Sequence, residues 1–250
     1  MRVKGLFIFR YRYLDDSDYK VFITQELPFA LCDAPSDNLN LVPRLSVLER
    51  KLIGEGSHRR LFSSIRINIE QGSISELSHC NCAVIIIERL PSGVFADPFE
   101  LQHLLQRGVF NDIAVFGDTN LESPSFLSNR SAVEIHMDVD FNNLMEKNEI
   151  DIKLDLPLHA RYQPLTETGY SEVRFGAPDL FLRCSAERET HNQSCLYTIE
   201  NVECESRYGT VVWKIPSGHQ QLQKFKTILK FKSLTSFSFD VFLLAIERNS

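Results

Sequence analysis

The sequence predicts a mainly β fold, an antiparallel, β-sandwich-like domain carrying one or two short helices. Three observations lead there. Strand-length runs of alternating or β-branched apolar residues recur along the chain, eight to ten of them, separated by turn residues. Phenylalanine is abundant, at 18 of 250 residues, and joins Val, Ile and Tyr in favouring pleated structure. The composition, 43% hydrophobic and 24% charged, is that of a chain able to bury a sizeable core.

Residues 1–57 read as an irregular lead-in. "LCDAPSDNLNLVPRL" carries two prolines and polar punctuation, as loops do, and "LSVLERKLIGEG" reads as a short helix ended by Gly54 or Gly56. The strands begin after it. In "RLFSSIRINIE", Ile65, Ile67 and Ile69 fall on one face, with Arg66, Asn68 and Glu70 on the other. "CAVIIIERL" is continuously apolar and β-branched, as a strand buried on both faces requires. "DIAVFGD" and "SAVEIHMDVD" follow at strand length. "EIDIKLDLPLHARY" alternates through Ile150, Ile152, Leu154 and Leu156, and "SEVRFG", "DLFLRCS", "LYTIENVE" and "TVVWKIP" complete the set.

One helix is strongly signalled. Asp97 stands at the N-cap and Pro98 at the first helical position, where its missing N–H costs nothing. Glu100 lies three residues on, as the second member of a capping box. Leu101, Leu104 and Leu105 share a face, and Gly108 stops the run. Ahead of it, Pro91-Ser92-Gly93 forms a turn, with Gly93 free to take positive φ.

Charge and hydropathy exclude some classes. A net charge of −6 argues against a nucleic-acid binder. No segment supplies the roughly 18–20 apolar residues of a membrane-spanning helix. The best candidate, "ILKFKSLTSFSFDVFLLAI", is interrupted by Lys230, Lys232 and Asp240. The opening "MRVKGLFIFRYRYLDD" breaks its apolar patch at Arg10 and Arg12, too early for a signal-peptide core.

Cysteines and sequons point to an oxidising compartment. Cys184, Cys195 and Cys204 crowd a polar stretch read as loop, while Cys80 and Cys82 flank Asn81. All five are disulfide candidates. The chain's six cysteines, Cys32 included, allow fifteen pairings, and none is singled out. Asn129-Arg130-Ser131 and Asn192-Gln193-Ser194 are glycosylation sequons.

Candidate chemistry is sparse. Asp97 and Glu100 have the spacing of an acid–base pair, but capping explains both. His79-Cys80-Asn81-Cys82 looks like a metal fragment without a second ligand pair, so disulfide or free thiol is the better reading. The most reactive-looking cluster is His159-Ala160-Arg161-Tyr162. On a strand, His159 and Arg161 share a face and could bind an anion. No nucleophile motif, P-loop or dinucleotide fingerprint occurs. A structural or partner-binding role outweighs catalysis.

Four segments in order, "CAVIIIERLPSGVFADPFEL", "ESPSFLS", "LPLHARYQPL" and "APDLFLRC", resemble the PIG-X family. The resemblance spans roughly residues 60–218. It implies an endoplasmic-reticulum membrane protein with a β-rich luminal domain, a non-catalytic accessory subunit needing no cofactor. The implied partner is PIG-M, the multi-pass catalytic chain that adds the first mannose in glycosylphosphatidylinositol (GPI) anchor assembly. Pro91, Gly93, Asp97, Pro98, Glu100, His159, Arg161 and Tyr162 become family-motif and partner-contact candidates. The implied organisation is the lead-in at 1–57, the luminal domain at 58–218, and a divergent tail at 219–250 in place of the family's membrane span. Two alternatives stand beside it: a hydrolase or transferase using His159, Arg161 and Asp97, and a free-standing luminal binding module.

Overall fold

The computed structural model describes residues 30–32, 42–69, 80–140, 144, 146–187, 192–199 and 210–217. Among these residues, twelve strands and one fully described helix run in the order β1 (Ala30–Cys32), β2 (Pro43–Ile53), β3 (His58–Ile69), β4 (Cys80–Leu90), β5 (Val94–Phe95), α1 (Pro98–Gln106), β6 (Asp112–Gly117), β7 (Ser131–Asp138), β8 (Glu149–Ala160), β9 (Tyr170–Phe175), β10 (Asp179–Glu187), β11 (Asn192–Thr198) and β12 (Val211–Pro216). They form a six-stranded sheet, β1-β11-β10-β4-β7-β6, a four-stranded sheet, β2-β3-β8-β5, and a ribbon of β12 and β9. Every pairing is antiparallel. The mainly β, antiparallel class read from the sequence is the class observed.

The period-two faces explain the core. Ile65, Ile67 and Ile69 of β3 are buried beside Ile150, Ile152, Leu154 and Leu156 of β8, while Arg66 and Asn68 face solvent. From β4, Cys82, Val84, Ile86 and Leu90 join the same cluster, as do Trp213 and Ile215 from the ribbon. Ile85 and Ile87, on the opposite face of β4, are buried too. The strand is therefore covered on both sides, as its unbroken apolar run requires.

The helix expected within "LSVLERKLIGEG" is instead the greater part of β2, which also lies within the lead-in read as irregular. The misreading has a physical source. Leu45, Leu48 and Leu52 carry helical i, i+3, i+7 spacing, yet the register of β2 against β3 shifts between Leu45 and Val47. A β-bulge inserts one residue into a period-two strand, so an apolar stripe that steps by two steps once by three. Gly54 and Gly56 do not cap a helix. With φ of +109° and +67° they turn the β2–β3 hairpin.

The cysteine stretch also differs from expectation. Cys184 lies on β10, the strand read from "DLFLRCS", and Cys195, taken with it as part of a polar loop, lies on the adjacent strand β11. Cys184 is bonded to Cys82 across from β10 to β4, and Cys195 is disulfide-bonded as well. Cys204 lies outside the described residues, as do His79 and Glu70. Among the described residues no helix is long and apolar enough to cross a membrane.

Candidate functional site

Three of the segments singled out in the sequence meet at one end of the four-stranded sheet. The first leaves β4 at Leu90 and turns. The amide of Val94 donates to the carbonyl of Pro91 at 3.0 Å, closing the four-residue turn expected there. Gly93 does not adopt positive φ. What it supplies is space: a Cβ at Gly93 would stand 2.7 Å from Val173 Cγ1 and 2.9 Å from Gln163 Nε2. Its carbonyl accepts from the Arg161 amide at 2.9 Å and from Gln163 Nε2 at 3.2 Å. The turn is thereby stitched to the end of β8.

After the turn, β5 pairs with the end of β8, setting Val94 opposite Ala160 and Phe95 opposite His159. The chain then enters α1. Asp97 is its N-cap, accepting from the Phe99 amide at 2.8 Å, with Pro98 in the first turn. The reciprocal half of the capping box is replaced by a tertiary contact. Glu100 Oε2 lies 2.8 Å from His159 Nε2, tying the helix to β8. The His159 ring stacks on Phe95, with centroids 5.1 Å apart, and meets His58 edge-on at 4.5 Å. Asp97 and Glu100, paired by spacing in the sequence, therefore hold different partners.

The third segment, the loop between β6 and β7, wraps the guanidinium of Arg161. Nη1 donates to the carbonyls of Ser123, at 3.0 Å, and Asn120. Nη2 donates to the Asp118 carbonyl at 3.1 Å. The group lies over the Phe95 ring, 4.8 Å from its centroid, and its side chain is fully buried. Burial pulls the Arg161 pKa below its ordinary value, opposed by the Asp118 carboxylate. Asp118 also orders the loop, accepting from the amides of Asn120 at 3.0 Å and Asn129 at 2.9 Å. Two further bonds lock the loop down: Ser128 Oγ donates to the Ser92 carbonyl at 2.7 Å, and the Ser125 amide to the Tyr162 carbonyl at 2.9 Å.

The anion site considered for His159 and Arg161 does not form. A strand does place them on one face, with Phe95 between them, but the Arg161 fork is spent on backbone carbonyls away from solvent. Arg161 instead ties a long loop to the β8 end, a use suited to a planar, many-donor cation. The sequence held no signal for its carbonyl partners, because Asp118, Asn120 and Ser123 contribute main-chain atoms that any residue could supply.

The knot displays apolar side chains. Tyr162 is 81% exposed, Phe99 78%, Leu127 70% and Phe126 67%. The backbone of Tyr162 is bonded to Ser125, the neighbour of Phe126 in the chain, and Phe99 lies on the first turn of α1. Of these four, sequence reasoning singled out Tyr162 alone. Asn129, at the end of the same loop, is exposed; Asn192 opens β11.

Comparison with known proteins places this architecture. The family model described as PIG-X / PBN1 matches residues 54–230, well over half of the chain and past Gly218. A rat protein named as the stabilizing subunit of GPI alpha-1,4-mannosyltransferase I is 30% identical over 154 residues, covering 61% of this chain and 57% of that protein. The human protein of the same name is 30% identical over 143 residues, covering 56% and 51% respectively. Protein pbn1 of Emericella nidulans is 29% identical over 114 residues, covering 44% of this chain and 22% of that protein. The matched region thus spans little more than half the length of the mammalian relatives. With the family model matching residues 54–230, the chain belongs to the PIG-X / PBN1 family.

Proposed function

We propose that this chain is a non-catalytic subunit that stabilises the catalytic chain of GPI mannosyltransferase I, PIG-M, and so supports addition of the first mannose in GPI-anchor biosynthesis. The observation that carries this reading is the stabilizing-subunit name of the mammalian relatives. The site chemistry agrees with it. Asp97 caps a helix, Glu100 pairs with His159, and Arg161 is buried under carbonyls. Each of the groups that a hydrolase or transferase would need is committed to holding the fold.

The reading places the domain on the luminal side of the endoplasmic-reticulum membrane, where disulfides such as Cys82–Cys184 persist. The docking surface is the knot of signature segments, with Tyr162, Phe126, Leu127 and Phe99 as its apolar anchors. Exposed aromatics on a rigid scaffold suit a permanent partner, because little side-chain freedom is lost on contact.

The test is co-purification with tagged PIG-M from cells lacking the endogenous subunit. The chain is expected to co-purify with PIG-M and raise its abundance. A Tyr162→Ser, Phe126→Ser double variant should lose both effects while keeping the wild-type melting temperature. Unchanged PIG-M levels and mannose transfer with and without the chain would refute the function. Loss of transfer in a folded, assembled Asp97, His159 or Arg161 variant would restore the enzyme reading.

A further inference from the structure

Four cysteines stand in one line across four neighbouring strands. Cys32 of β1 is opposite Cys195 of β11, Cys195 is opposite Cys184 of β10, and Cys184 is opposite Cys82 of β4. Residues directly opposed in an antiparallel sheet project to the same face, so the row is a row of side-chain positions, not only of backbones. Position alone would permit three pairings between neighbours. The hydrogen-bond pattern separates them.

In a regular strand, the N–H and C=O of one residue point to the same side. Directly opposed residues are therefore alternately bonded, with Cα atoms about 5.5 Å apart, and non-bonded, about 4.5 Å apart. The carbonyl of Cys82 accepts from the Val139 amide, beyond the end of β7, so Cys82 turns its backbone away from β10. Cys82 and Cys184 are then a non-bonded pair, and their Cα atoms are 4.1 Å apart across the disulfide. The backbone of Cys184 points the other way, toward β11. Leu180, of the same parity on β10, confirms the direction by accepting from the Ile199 amide at 3.0 Å. Cys184 and Cys195 are accordingly a hydrogen-bonded, wider pair. That turns the backbone of Cys195 toward β10 and away from β1, which makes Cys195 and Cys32 the next close, non-bonded pair.

Cys195 is disulfide-bonded, and Cys184 is already held by Cys82. We infer that Cys32 and Cys195 form a second cross-strand disulfide, which clamps the three-residue strand β1 to the sheet edge. A strand of three residues has little ladder of its own to hold it, and the bond supplies the missing attachment. Its formation removes two electrons and two protons from the two thiols. An incoming disulfide, carried by an oxidoreductase or by oxidised glutathione, accepts them and leaves as two thiols. This inference stands whether or not the chain stabilises a mannosyltransferase.

The experiment is non-reducing peptide mapping of the full chain, purified from an oxidising compartment after blocking free thiols. A peptide containing Cys32 should be linked to one containing Cys195 and separate on reduction, beside the Cys82–Cys184 pair. A Cys32→Ser variant, denatured without reductant, should gain one maleimide label at Cys195. Two outcomes overturn the inference: Cys195 linked to any other cysteine in the wild-type chain, or Cys195 still unlabelled in the variant. The wild-type map needs no variant to fold.

Discussion

Arg161 and Arg50 are both buried guanidiniums, and they are held in opposite ways. Arg161 sits at the sheet end and gives its fork to the main-chain carbonyls of Asp118, Asn120 and Ser123. Arg50 sits between the sheets, its side chain fully buried, and pairs with Glu88, whose side chain is 1% exposed. It also donates to the Gly176 carbonyl. Neutral dipoles do not titrate, so the carbonyl contacts of Arg161 do not depend on pH. A carboxylate held deep in a core does titrate. Burial pushes Glu88 up from 4.5 to about 7, against the opposing pull of Arg50. One buried arginine thus makes a fixed joint and the other a pH-dependent one.

The largest expected effect breaks the fixed joint. Arg161→Ala leaves three backbone carbonyls without their donor, at a cost of about 3–5 kcal/mol in denaturant unfolding. The loss should be equal at pH 5 and pH 8. An equal loss from Asp118→Asn would mean that the Asp118 carboxylate, 3.9 Å away, carries the interaction rather than the carbonyls. Arg161→Lys should recover less than half, since an ammonium cannot reproduce the planar fork.

Next comes the pH-dependent joint. Glu88 has a higher pKa folded than unfolded, so the folded state holds its proton while the unfolded chain releases it. Stability from this group is present below about 4.5 and is lost as pH rises to about 7. The drop amounts to about 3 kcal/mol over that window. Melting curves of Glu88→Gln should lack this slope, and an unchanged slope would assign it to another group.

Smaller effects probe the turn and the cap. Gly93→Ala drives a methyl against Val173 and Gln163, and overpacking of that kind costs about 1–3 kcal/mol. Gly93→Ala paired with Val173→Ala should recover most of it. Asp97→Ala removes the cap from Phe99 and costs about 1 kcal/mol in denaturant unfolding.

Local chemistry made much of this legible. Period two placed Ile65, Ile67, Ile150 and Leu154 in the core, and the Asp97-Pro98 start fixed α1, because both patterns lie within a few consecutive residues. Where the sequence misled, the cause was nonlocal or a single insertion. The bulge at Leu45–Val47 disguised β2 as a helix. Glu100 chose His159, 59 residues away, over its local capping partner. The polarity around Cys195 suggested a loop, whereas Cys195 belongs to β11, paired with the strand already legible in "DLFLRCS". The Arg161 knot was invisible because carbonyls carry no residue identity.

The pairing of β1 with β11 sets an order of events during synthesis. Ala30 lacks its β11 partner until Tyr197 has left the ribosome. At roughly 5–20 residues per second, the edge of the six-stranded sheet waits on the order of ten to thirty seconds for its neighbour. Through that interval β1 carries a cysteine and lacks its β11 neighbour. The first of the described strands to be made is thus among the last of them to be paired with its neighbour, and chaperones and disulfide exchange have that interval in which to act on it.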